Sequence, residues 1–78
     1  MMEITIASLE PMFGDILVTY NKVGNKYYTA IWHKVHKEST CQEPTTKEKA
    51  KRAFEKLTDA ILDGNYSYED RKAMLFTP

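Results

Sequence analysis

Two periods organise the apolar positions of this chain. Glu3-Ile4-Thr5-Ile6-Ala7 alternates polar and apolar residues. A period of two marks a half-buried strand, with Ile4 and Ile6 facing inward. The run Glu10-Pro11-Met12-Phe13-Gly14-Asp15 breaks the alternation. Proline removes a backbone donor and glycine permits positive φ, so this stretch reads as a loop with Met12 and Phe13 tucked back. Residues 16–20 and 26–35 are rich in β-branched and aromatic side chains, and Asn21-Lys22-Val23-Gly24-Asn25 lies between them. Together they predict a β-hairpin. An even number of loop residues puts Ile16, Val18, Tyr20, Tyr27, Thr29 and Ile31 on one face. Asp15, Leu17, Thr19, Tyr28, Ala30, Trp32 and Lys34 then share the other. A one-residue bulge would scramble this division.

Beyond a polar, turn-like stretch at 37–44, the period becomes helical. Ala50, Ala53, Phe54, Leu57, Ala60 and Ile61 recur on one helical face. Pro44 precedes Thr45-Thr46-Lys47-Glu48, which reads as a capping box. In such a box a threonine oxygen takes the N–H at N3 and the glutamate reaches back. Gly64 sits where a helix-ending glycine belongs, so the predicted helix runs over about 46–63. Ser67-Tyr68-Glu69-Asp70 resembles a second helix start, with both acids in the first turn. A short helix through Leu75 follows, with Phe76 as the anchor of the tail. The expected fold is α+β, one domain over 1–78. It is a three-stranded antiparallel sheet in β-β-β-α-α order, with one long amphipathic helix on one face and a short C-terminal helix.

Composition narrows the class. Hydrophobic residues make up 42% of the 78, enough for a core and too many for a disordered chain. The lone cysteine, Cys41, has no internal disulfide partner, which suits a reducing compartment. No apolar run approaches the roughly 20 residues of a membrane helix. The N-terminal residues lack the basic and apolar regions of a signal peptide. The expectation is a cytoplasmic protein with no membrane contact. The 11 basic and 11 acidic side chains cancel overall but are unevenly placed. Residues 22–56 carry nine Lys and Arg against four Asp and Glu, between two acidic ends. A basic middle is either a partner footprint or a surface that the acidic ends fold back to neutralise. Lys47, Lys49, Lys51 and Arg52 cluster in the first helical turns. There the helix dipole disfavours each cation by about 0.3–1 kcal/mol at low salt. Glu48 and Glu55 offset part of this through i, i+4 pairing.

Reactive chemistry finds little support. His33, His36 and Cys41 have a spacing that suggests zinc, but a strand through residue 36 would aim the two imidazoles at opposite faces. No fourth ligand is placed by spacing. Cys41 with His36 is a nucleophile–base pair without a third member or an oxyanion hole. Gly14, Gly24 and Gly64 are scattered and build no phosphate loop. The chain therefore reads as a non-enzyme with no catalytic residues, no metal and no cofactor.

The hairpin is the more informative region. Tyr20, Tyr27, Tyr28 and Trp32 interleave there with Lys22, Lys26, Lys34 and Lys37. Exposed rings bordered by amines hold single-stranded nucleic acid, yet hairpin aromatics also serve as ordinary cross-strand pairs. One helix covers one side of the sheet, so the Leu17, Tyr28, Ala30 and Trp32 side needs another cover. The C-terminal segment, a second copy giving a homodimer, or a partner would each supply it. Leu17, Tyr28, Trp32 and Lys34 are the expected partner-binding residues, and a protein partner is preferred over nucleic acid because Trp and Tyr dominate binding hot spots. In size and element order the chain is similar to the small inhibitors that phages and mobile elements carry against host systems, anti-CRISPR proteins among them. That likeness implies a non-catalytic, inhibitory docking module, and it is one of architecture alone.

Overall fold

The computed structural model describes residues 3–9 and 16–76. The loop reading at Glu10 to Asp15, with Met12 and Phe13, lies outside the described residues, and so do the side chains of Ile4 and Ile6. Strands β1 (Glu3–Leu9), β2 (Ile16–Val23), β3 (Lys26–His33) and β4 (Glu38–Cys41) form one antiparallel sheet in sequential order. Helix α1 (Lys47–Leu62) follows, then a single 3-10 turn (Tyr68–Asp70) that runs into α2 (Arg71–Phe76). The chain is thus α+β, with the expected hairpin, long helix and short C-terminal helix. Strand β4 extends the sheet beyond the three expected strands, in the stretch that reads as a turn.

The β2–β3 hairpin has the even loop that fixes its faces. Ile16 pairs with His33, Val18 with Ile31 and Tyr20 with Thr29, and the loop is Gly24-Asn25 alone. Gly24 takes φ 59°, as a two-residue hairpin turn with glycine in its first central position requires. Val18, Tyr20, Thr29, Ile31 and His33 are all buried on one face. The β1–β2 ladder has a register shift between Thr5 and Ala7, a bulge in the backbone pairing.

Helix α1 lays Ala50, Ala53, Leu57 and Ile61 on that buried face, with Phe54 and Ala60 half-buried beside them. Leu57 and Ile61 join Val18, Ile31 and Leu75 in the core. The Thr29 hydroxyl, fully buried, donates to the Ala50 carbonyl at 2.7 Å and ties sheet to helix without leaving a polar atom unsatisfied. The helix start is one residue later than a Thr45 capping box would place it. Thr46 is the N-cap, and its hydroxyl accepts from the Lys49 N–H at 3.3 Å. Thr45 is instead bridged to Tyr27, with both backbone hydrogen bonds made. Glu48 therefore sits at N2 and interacts with the dipole rather than closing a box. At the other end Gly64 (φ 77°) donates to the Ile61 carbonyl and Asn65 to the Ala60 carbonyl, the two bonds of a Schellman motif.

The tail is anchored by Leu75, which is buried, whereas Phe76 is 53% exposed. This corrects the expectation that Phe76 anchors it. On the short helix Leu75 faces the core, and its neighbour is turned about 100° away.

Candidate functional site

Leu17, Tyr28, Trp32 and Lys34, the four residues singled out by the sequence, stand on or beside one surface. Leu17 and Trp32 are direct cross-strand partners on the face turned away from α1. Tyr28 lies on the same face, four residues back along β3 and so about 13 Å from Trp32, with Ala30 between them. Lys34 lies just past the end of β3, exposed in the turn that leads to β4. Strand β4 widens this face, because Ser39 pairs with Trp32 and Cys41 with Ala30. The Ser39 and Cys41 side chains meet at 3.7 Å (Oγ to Sγ). On the other flank the Asn21 amide donates to the Thr19 hydroxyl at 2.9 Å. The face thus carries the apolar pair Leu17 and Trp32 toward one end of the hairpin and the polar Thr19 and Asn21 beyond it, Asn21 being buried. Trp32 is 39% exposed, and Leu17, Thr19, Tyr28 and Ala30 are half-buried. Both helices send their buried side chains to the opposite face. The C-terminal segment, one of the expected covers of the tryptophan side, packs with them.

Not all the hairpin aromatics are available for binding. Tyr20 is buried, stacks on Tyr27 at 5.8 Å and touches Phe54 at 5.9 Å. Burial, and secondarily the neighbouring Tyr27, push the Tyr20 phenol above its ordinary pKa. Lys22 covers the Tyr27 ring at 5.8 Å. Tyr28 and Trp32 are the two hairpin rings on the outer face.

A second constellation, which the sequence does not announce, joins the β3–β4 turn to the C-terminal segment. Strand β3 ends at His33, and residues 34–37 turn back, with Lys37 at φ 51°. The two imidazoles therefore do not diverge as a continuous strand would require. Their ring centroids are 6.1 Å apart. His33 is buried, shares a 2.8 Å hydrogen bond with the Tyr66 hydroxyl and stacks on that ring. His36 stacks on Tyr68 at 3.8 Å, and the Arg71 guanidinium also lies 3.8 Å from the Tyr68 centroid. Glu38 closes the network. It accepts from the Tyr68 hydroxyl at 2.9 Å and from Arg71 Nε and Nη2 at 2.8 Å each. Arg71 also donates to the Tyr68 carbonyl.

The hydrogen bond from Tyr68 and then those from Arg71 hold the Glu38 carboxyl below its ordinary pKa, against a desolvation effect in the other direction. The same bond to Glu38 holds the Tyr68 phenol above its own. Through Glu38, Tyr68 and Arg71 the cluster clamps the C-terminal segment to the start of β4. Among the described residues no three His, Cys, Asp or Glu side chains are placed to hold a metal ion. Cys41 is exposed on β4. Among the described residues no helix is long and apolar enough to cross a membrane. No protein-family model matches the chain, and no curated protein or solved structure matches it.

Proposed function

We propose that the chain is a non-catalytic binding module that docks on a protein partner through the outer face of its sheet and acts by occluding the surface it covers. The observation that carries this reading is the position of Trp32. It is partly exposed near the end of β3, on a face whose reverse side is consumed by α1 and α2. A face with an aromatic–aliphatic pair at Trp32 and Leu17, a second ring at Tyr28 and polar neighbours has the residue types of an interface core and its rim. Lys34 at its border adds a charge suited to orienting a partner rather than to affinity.

The nucleic-acid alternative has less behind it. Tyr20 and Tyr27 are stacked on each other on the helix side, which halves the set of rings open to bases. Lys22 is held over Tyr27. The chain as a whole carries no net charge to attract phosphates.

The test compares the wild type with Trp32→Ala as baits in extracts. Each captured protein is then purified and titrated against the chain by NMR. The expected result is a complex lost in Trp32→Ala with the fold kept, and shifts confined to β2, β3 and β4. A complex indifferent to Trp32→Ala and Tyr28→Ala would overturn the reading. So would tight, steeply salt-dependent binding of an oligonucleotide on that face, or a stable homodimer that buries it.

A further inference from the structure

A groove of about 730 Å³ lies between α1, α2 and the segment that leads from β4 into α1. Ala53, Met74, Leu75 and Phe76 give it an apolar side, and α1 lines it with Lys49, Arg52 and Lys56. These three cations are exposed, and their spacing of three and four residues keeps them on one side of the helix. They span about 10 Å along its axis. Glu43 is the one acid in the lining. Among the described residues the one ion pair is Arg71 with Glu38, so none of the three is neutralised by an ion pair of its own. Lys49 also stands in the first turn of α1, where the helix dipole disfavours a cation. Glu48 and Glu55 stand beside Arg52 and Lys56 on the other flank of the helix and offset the row only in part, without forming an ion pair with it.

We propose that the groove binds an extended acidic segment of a protein, one in which carboxylates alternate with apolar side chains. The geometry suits that ligand class. In an extended chain, alternate residues point to one side and lie about 6.5–7 Å apart. Two or three carboxylates on one edge then match a row of cations about 10 Å long. The intervening apolar side chains face Met74 and Phe76. A lipid with a single carboxylate would meet the row at one end only and leave the other cations idle. A nucleic-acid strand would need successive rings to stack on, and the groove offers one, Phe76. The groove opens on the helix layer, whereas Trp32 lies on the reverse of the sheet. This contact and the sheet-face reading therefore stand or fall separately.

The test is an NMR and anisotropy titration of the whole chain with a capped hexapeptide of alternating glutamate and leucine. Dodecanoate and oligothymidylate are run alongside it. The expected result is shifts at Lys49, Arg52, Lys56, Met74 and Phe76, with affinity falling as salt rises. The double variant Arg52→Glu/Lys56→Glu weakens binding by about tenfold or more, since two attractive contacts become repulsive. Trp32→Ala leaves it unchanged. Both altered positions are exposed, and circular dichroism verifies the fold. The proposal is overturned if millimolar peptide moves none of these resonances or if the double variant binds as well as the wild type. Tighter occupation of the groove by dodecanoate or oligothymidylate overturns it equally.

Discussion

The two faces of the β2–β3 hairpin are built from neighbouring residues of the same two strands, yet they carry different things. Val18, Thr29 and Ile31 point to one side and are fully buried beneath α1. Leu17, Tyr28 and Trp32 point to the other, and neither helix sends its buried side chains there. The parity of one two-residue loop decides which set is which. The inner face holds the fold together, whereas on the outer face Trp32 stays 39% exposed even though Asn21 there is buried.

The comparison is sharpest at Leu57 and Trp32. Leu57 is fully buried against Val18 and Ile31, so Leu57→Ala loses both transfer energy and packing. A loss of about 2–5 kcal/mol is expected in urea unfolding, most of what a domain this small has. Trp32→Ala removes a larger side chain, but one that is 39% exposed between Leu17 and Ser39, so a smaller loss of about 1–2 kcal/mol is expected. Equal losses in the two variants would mean that the outer face is as structural as the inner one.

The clamp at Glu38 keeps the C-terminal segment on the inner layer. Its pH dependence follows from the two displaced pKa values. Glu38 titrates below its unfolded value of about 4.3, so its contribution is present above that pH and is lost as the pH falls through the folded pKa. Tyr68 titrates above its unfolded value of about 10, so its contribution is present below that pH and is lost as the pH rises through the folded value. Glu38→Gln should lower Tm at pH 7 by less than Leu57→Ala does. The gap to wild type should close as the medium is acidified below about pH 4. Amide exchange in α2 should quicken in the variant while that of β2 and β3 stays slow. A pH-independent gap would assign the loss to shape rather than to ionisation.

The same contrast explains what could be read in advance. The hairpin, its parity, and the body and Schellman end of α1 follow from local periodicity and from glycines at Gly24 and Gly64. Local signals of that kind are complete within a few residues. Strand β4 has no such signal, because Glu38-Ser39-Thr40-Cys41 contains one buried side chain, Thr40, and no apolar alternation. The clamp joins Glu38 to Arg71 across 33 residues, and nothing near either residue marks the other. The separation expected of His33 and His36 fails for the same reason, since it assumed a strand that the turn at 34–37 cuts short. The basic groove needs three elements to exist, though the cluster of Lys and Arg in the first turns of α1 was its visible edge.

That turn also supplies the smallest effect. Lys37 holds φ at 51°, the left-handed region that a lysine enters at a penalty and asparagine tolerates better. Its N–H donates to the Lys34 carbonyl at 3.2 Å, so the conformation is part of the turn that aligns His33 with Glu38. Lys37→Asn should relieve the strain and stabilise the fold by about 0.5 kcal/mol in urea unfolding, a gain of the size seen when a residue is matched to its backbone conformation. The proposed contact through Trp32 should be unaffected, because the register from His33–Glu38 to Ala30–Cys41 is unchanged. A destabilised Lys37→Asn would mean that the lysine side chain, rather than its backbone, holds the β3–β4 turn in place. The alignment of Ser39 and Cys41 on the outer face would then depend on that charge.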